Sequence, residues 1–219
     1  EYIKLAEAGK MRVFEKTSAR QQFKQILTSL QATSHPWLTW KDTINVRALN
    51  NNTGTIHLSN LCTEITLPQD KDNIATCNLI SINLSAFLNE DKTWNWDRLK
   101  EASRAAVRQL DNLVDITQTP IPEAMHSNNQ TRAIGLGIMG FTDVLEKLGY
   151  CYESKESYNL IDTLTEFISY HAIDQSADLA QELGSYPTYK GSGWSKGILP
   201  IDTLETLSPD RKVKVKIDH

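Results

Sequence analysis

Ala75-Thr-Cys-Asn-Leu-Ile-Ser-Ile-Asn-Leu84 is the stretch on which the reading of the fold turns. From Thr76 to Leu84 the positions alternate, with Ile80, Ile82 and Leu84 on one side and Cys77, Leu79, Ser81 and Asn83 on the other. A period of two predicts a strand with one greasy face. The other face is mixed and carries a thiol, a hydroxyl and an amide. That combination suits a barrel stave lining a functional interior.

After this strand the pattern is mostly helical. Trp96 to Ile116 repeats apolar residues at helical spacing (Leu99, Ala106, Leu110, Leu113), and Pro120 and Pro122 forbid its continuation. Ile134 to Leu148 is expected to be a helix stopped by Gly149. Ser154 opens a long helix with Leu160, Leu164, Phe167, Ile168 and His171 on its buried side, and Gly184 follows its end. Before the strand, Ser18 is placed to cap an amphipathic helix through about Leu30, built on Phe23, Ile26, Leu27 and Leu30. His35-Pro36 ends any helix there, and Trp37 to Trp40 reads as extended. Asn50 to Gly54 is a loop, and Thr55 to Leu58 is an extended lead into Ser59-Asn-Leu-Cys-Thr-Glu-Ile65. Strands interleaved with helices give an α/β class, rich in helix.

The 219 residues are 40% hydrophobic and 23% charged, with a formal net charge of −4, the profile of a globular protein. Lys and Arg are dispersed, so there is no basic face for nucleic-acid phosphates. No apolar run approaches the roughly 20 residues that span a bilayer. Neither terminus reads as natural. Glu1 to Lys10 resembles the tail of a helix begun upstream, with Gly9 as its stop, and Val213 to Ile217 alternates like a strand and then ends. A fragment or split-gene piece is the expectation.

Three scattered cysteines, Cys62, Cys77 and Cys151, are too few for a secreted disulfide scaffold. In an extended loop, residues two apart project together, about 6.6 Å apart by strand rise. Asn60, Cys62 and Glu64 would then form one kit: an amide for hydroxyls, a thiol for redox or nucleophilic work, and a carboxylate to accept a proton. From spacing alone the ordinary reading, a surface loop with one buried cysteine, is favoured. A cysteine hydrolase needs a histidine base, and His57 falls on the opposite parity. That reading predicts rapid alkylation of Cys62 near neutral pH through a lowered thiol pKa.

Two further patterns are set aside. Gly135-Leu-Gly-Ile-Met-Gly140 fits G-x-G-x-x-G with Asp162 downstream, but Arg132-Ala-Ile134 is too short a preceding strand for a dinucleotide fold, and the glycines are read as helix-packing positions. The five histidines, His35, His57, His126, His171 and His219, never reach metal-ligand spacing, and no metal site is expected. His171 reads as a satisfied core histidine.

The string Ser59 to Ile65 resembles the finger loop of class I ribonucleotide reductase large subunits, and Ala75 to Leu84 resembles the next strand of that family's barrel. Pro36-Trp-Leu-Thr-Trp-Lys-Asp42, Arg132 to Phe141 and Lys196 to Ile201 match in the expected order. The resemblance implies that residues 1–219 are part of the family's ten-stranded α/β barrel, with the finger loop at about 59–65, the redox-cysteine strand at about 76–84 and a helical remainder. It implies that Cys62 is the thiyl radical that removes the 3′ hydrogen of a ribonucleotide, expected to be a diphosphate. Glu64 would take the 3′-hydroxyl proton, and Asn60 would order the ribose hydroxyls. Cys77 would be one member of the reducing dithiol, its partner lying outside this chain; a Cys62–Cys77 disulfide would consume the radical thiol. Cys151 lies outside the matched motifs and is read as structural.

Further implications concern what lies around the chain. A metal-containing small subunit would supply the radical, thioredoxin or glutaredoxin the reducing equivalents, and other parts of the large subunit the sites for ATP and dNTPs. No cofactor is expected to be bound by this chain. The implied setting is cytoplasmic, without nucleic-acid or membrane partners. The rival reading is a non-catalytic piece that completes a barrel with another chain.

Overall fold

The computed structural model describes residues 1–207, in two compact units, 1–40 and 41–207. The alternating segment 213–217 lies outside the described residues. The first unit holds helices α1 (Tyr2–Glu7) and α2 (Ala19–Thr33). Gly9, at φ +67°, stops α1 as expected. Ser18 occupies the N-cap position of α2 in an extended conformation, but its side chain makes no capping hydrogen bond. The apolar stripe of α2 is largely uncovered, with Phe23 56% and Leu27 43% exposed.

The second unit runs α3 (Lys41–Arg47), β1 (Leu79–Asn83), α4 (Trp96–Ile116), α5 (Pro122–Thr131), β2 (Gly135–Met139), α6 (Phe141–Leu148) and α7 (Lys155–Leu183), with 3₁₀ turns on either side of β1 and after α7. β1 and β2 pair in parallel, from Leu79 opposite Gly135 to Asn83 opposite Met139. A parallel pair needs a long crossover, and here α4 and α5 provide it. The helix-rich α/β expectation therefore holds.

β1 keeps the predicted parity. Ile82 is buried, Leu79, Ser81 and Asn83 are exposed, and Leu84 is fully buried although it already belongs to a 3₁₀ turn. The strand is shorter than Thr76 to Leu84. Asn83 ends it by turning its own Oδ1 onto the amide of Ser85 (3.2 Å), a local bond that competes with the ladder.

The segment Ile134 to Leu148 corrects the sequence reading. Gly135 to Met139 is strand, and the helix begins only at Phe141. Leu136 and Ile138 alternate into the core while the glycines occupy the other face. A Cβ at Gly135 would stand 2.5 Å from Leu79 Cδ2, so the small residue permits close approach of the two strands. Gly140 turns the chain from strand to helix at φ +75°, where a side chain is strained. Because Gly135 and Gly137 lie within the strand, the motif is not the phosphate-binding turn of a dinucleotide fold.

The core gathers Ile82, Leu84 and Phe87 from the strand and its exit, Leu99 from α4, Val144 from α6, and Leu164 and Ile168 from α7. Ser154 caps α7 as read, its Oγ accepting from Ser157 N (3.1 Å), and Asn95, which the sequence reading did not single out, caps α4 by accepting at Oδ1 from Arg98 N (3.0 Å). α3 and α5 were not anticipated. Pro122, read as a barrier, sits in the first turn of α5, where a missing N–H costs nothing. Arg132 ends α5 in the left-handed region (φ +46°). Its guanidinium reaches back to Asp111 (2.8 Å) and Asp115 (2.6 Å), which raises its pKa and lowers that of Asp115.

A buried amide pair fixes the entry to β1. Asn78, 3% exposed, donates from Nδ2 to Asn128 Oδ1 (2.9 Å) and to the Ala133 carbonyl (3.2 Å). Asn128 Nδ2 in turn donates to the Val114 carbonyl (3.2 Å). Truncating Asn78 strands one buried and one part-buried acceptor, at about 1–3 kcal/mol. Asn78→Ala is expected to lower unfolding stability by that amount in urea titrations, with strong non-additivity in a cycle with Asn128→Ala.

His171 is buried as expected but not satisfied: its Nδ1 has no hydrogen-bond partner among the described residues. The ring packs against Phe167 (4.5 Å between centroids) and Tyr170 (5.1 Å). Burial holds its pKa below the ordinary 6.5, with Lys100 and Arg104 acting in the same direction and Asp174 opposing. The unfolded chain therefore takes up a proton below about pH 6.5 that the folded chain resists, so stability falls as pH drops through that window. His171→Phe should flatten the fall in melting temperature between pH 7.5 and 5. An unchanged slope would show that other groups govern it.

Candidate active site

The candidate residues lie on a loop held at both ends. On its entry side, Asn45 of α3 grips the backbone of buried Ile56, accepting from its N–H (2.9 Å) and donating to its carbonyl (2.8 Å). Gln69 Nε2 donates to the Leu58 carbonyl (3.1 Å) from the exit side. Ser59 Oγ donates to the Ile65 carbonyl (2.7 Å), and Asn60 Oδ1 accepts from Ile65 N (3.1 Å). Thus Ser59 and Asn60 close the loop on itself. Asn45 and Gln69 were missed in the sequence, where an isolated polar residue carries no sign of which distant carbonyl it will meet.

Between these braces the chain turns. Thr63 N donates to Asn60 O (3.1 Å), and Thr63 sits at φ +64°, a left-handed conformation unusual for a β-branched residue. This corrects the same-side argument. Asn60 to Thr63 is a tight turn, so the alternation of an extended strand does not govern where Asn60, Cys62 and Glu64 point. The turn carries Asn60 and Cys62, and Glu64 follows it directly on the same loop.

All three cysteines are free and exposed. The ordinary reading of a buried Cys62 is therefore not what the fold contains, and Cys151 is not buried filler. Cys62 Sγ has no hydrogen-bond partner among the described residues, and the Glu64 carboxylate makes no ion pair there. Asn60 spends its Oδ1 on the loop, while its Nδ2 makes no bond among the described residues. His57 Nδ1 is 2.9 Å from Lys41 Nζ, a contact that competes with any role as base to Cys62. Cys77 lies two residues before β1, on the exposed side of the strand's alternation, and its neighbour Asn78 is pinned by the buried amide pair. Among the described residues no group of three His, Cys, Asp or Glu side chains could hold a metal ion. Nor is any helix there long and apolar enough to cross a membrane.

Comparison with known proteins gives a consistent result. Residues 1–217 match the family described as "Ribonucleotide reductase, barrel domain". The chain is 43% identical over 211 residues to the "Ribonucleoside-diphosphate reductase subunit alpha" of Chlamydia pneumoniae, covering 96% of this chain and 20% of that protein. It is 35% identical over 209 residues to the "Ribonucleoside-diphosphate reductase large subunit" of Danio rerio, covering 95% of this chain and 26% of that protein. The Variola virus large subunit is 39% identical over 192 residues, 88% of this chain and 25% of that protein. The chain thus spans between a fifth and about a quarter of the length of these relatives.

Proposed function

Because the chain belongs to the ribonucleotide reductase barrel-domain family, we propose that it supplies the radical-bearing loop of a ribonucleoside-diphosphate reductase large subunit. The observation that carries this reading is Cys62 itself: an exposed thiol on a tight turn whose two ends are tied by side-chain to backbone bonds. A group that must meet a substrate carbon needs both access and a fixed position.

In the proposed chemistry the Cys62 thiyl takes hydrogen from C3′, forming S–H and leaving a carbon radical. Sulfur suits this step, because an S–H bond is close in strength to the ribose C–H bond and the transfer is reversible. Glu64 accepts the 3′-hydroxyl proton while the C2′ hydroxyl leaves as water. The free Nδ2 of Asn60 orders the ribose hydroxyls. Cys77 and a partner thiol outside this chain deliver two electrons and two protons and end as a disulfide. Cys62 then returns the hydrogen to C3′. The net change is one ribonucleotide and two thiols converted to one deoxyribonucleotide, water and a disulfide. Thiol exchange must renew the dithiol after each turnover, a task that falls to thioredoxin or glutaredoxin.

The radical originates in a metal-containing small subunit of the class I type, and ATP and dNTPs act on other parts of the large subunit. A cytoplasmic setting accompanies this reading. The test is reconstitution: the chain is combined with the polypeptides that complete the large subunit, the small subunit, a ribonucleoside diphosphate and reductant. Deoxyribonucleotide formation over many turnovers is expected, falling to at most about one turnover in Cys77→Ser. Undiminished multiple turnover in that variant would remove Cys77 from the dithiol. Full activity without any competent Cys62 would instead support the barrel-completing role.

A further inference from the structure

Away from the Cys62 turn, the second unit contains a cleft of about 300 Å³. It lies at the neck of that loop: Asn52 precedes the loop, Pro68 follows it, and a Cβ on Gly54 would stand 3.4 Å from Pro68. The other walls are α5 and the segment around Lys190. The volume falls at the lower end of the range for small-molecule sites.

Its lining is chemically one-sided. No Asp or Glu lines it, although the chain as a whole is acidic, whereas Lys190 and His126 do. One carboxylate, that of Asp70, is tied to the wall from behind, accepting from lining residue Asn73 (3.0 Å). Ser127 is only 5% exposed, lines the cleft, and its hydroxyl has no partner among the described residues. The side chains of Gln130, His126 and Lys190 are likewise unpartnered there. The groups behind them are already committed. Thr131 donates to the Ser127 carbonyl (2.9 Å), Thr188 to the Gln130 carbonyl (3.0 Å), and Asn52 to the Thr188 carbonyl (2.9 Å). The walls are thus held by internal bonds, while these lining donors have no partner among the described residues.

A divalent cation would want carboxylate oxygens, and an apolar ligand would leave the buried Ser127 hydroxyl unpaired. An ammonium, an imidazole, a hydroxyl and an amide around one cleft that no carboxylate lines match a phosphate group, which takes several charge-assisted hydrogen bonds at once. We propose that this cleft is a binding site for the phosphate group of a small organic phosphate, of mononucleotide size, distinct from the Cys62 turn.

Isothermal titration of the full chain with inorganic phosphate, adenosine 5′-monophosphate and adenosine tests this. Both phosphates should bind with Kd of about 1 mM or tighter, and adenosine should not bind. Lys190→Glu and His126→Glu, at exposed positions, should each weaken phosphate binding at least about tenfold, with unchanged circular dichroism and melting temperature. Lys155→Glu, on the exposed start of α7, should leave it unaltered. Tighter binding of the nucleotide than of inorganic phosphate would place its base and sugar in the same cleft. Failure of both phosphates to bind, equal binding of adenosine, or equal loss in Lys155→Glu would overturn the proposal.

Discussion

Cys62→Ser, in the reconstituted large subunit with its small subunit, is expected to abolish deoxyribonucleotide formation, with a loss of at least about a thousandfold. The replacement is nearly isosteric and lies on an exposed turn, so the fold has no reason to respond. What changes is the bond to hydrogen. An alcohol O–H is far stronger than a thiol S–H or a ribose C–H, so a radical cannot be placed on the serine oxygen at similar free energy. A barrier rise of only about 4 kcal/mol already accounts for a thousandfold. Unchanged melting temperature alongside lost turnover distinguishes this from unfolding. Glu64→Gln should fall less far, because it removes a proton acceptor and leaves the radical carrier in place.

The second large effect is on stability. Leu99→Ala is expected to cost about 2–5 kcal/mol, read from urea unfolding of the chain. Leu99 is fully buried on α4 and belongs to the same core as Leu84 at the exit of β1, Val144 of α6 and Leu164 of α7. Removing its branched end leaves a cavity bounded by three helices and the strand exit, which cannot all close inward together. Since domains are typically stable by only about 5–15 kcal/mol, such a loss is a large fraction of the total. By contrast, the ion pairs from Arg104 to Asp174 and Asp178, and from Arg108 to Glu182, join α4 and α7 in solvent. Exposed pairs of this kind contribute little each. A loss below about 0.5 kcal/mol for Leu99→Ala would mean that the core is not assembled around this helix.

What was legible in the sequence follows from the length and strength of each pattern. α4 and α7 run for 21 and 29 residues, so their helical period repeats many times, and Ser154 and Gly184 mark the ends of α7. β1 was visible because Ile80, Ile82 and Leu84 alternate with polar residues. β2 was not. Five residues with two glycines carry little period, and the constraint that makes Gly135 small is Leu79 on a strand 56 positions earlier. α5 was hidden because a proline was read as a stop where it serves as a start.

The site divides in the same way. Motif order pointed to Asn60, Cys62, Glu64 and Cys77 together, but their geometry did not follow from spacing. The extended-loop assumption failed because Asn60 uses its side chain to close a turn, and Thr63 takes a conformation that β-branched residues seldom adopt. The braces from Asn45 and Gln69 depend on contacts across 11 positions each, which no local pattern announces.

The most direct measurement uses a ribonucleoside diphosphate deuterated at C3′. With the reconstituted enzyme, hydrogen abstraction by Cys62 predicts a primary isotope effect on single-turnover product formation, with the deuterium retained at C3′ of the product. In Cys62→Ser neither product nor cleavage of the C3′–D bond should appear. Deoxyribonucleotide formed by Cys62→Ser at the wild-type rate, with the same isotope effect, would contradict the assignment of Cys62 as the radical carrier.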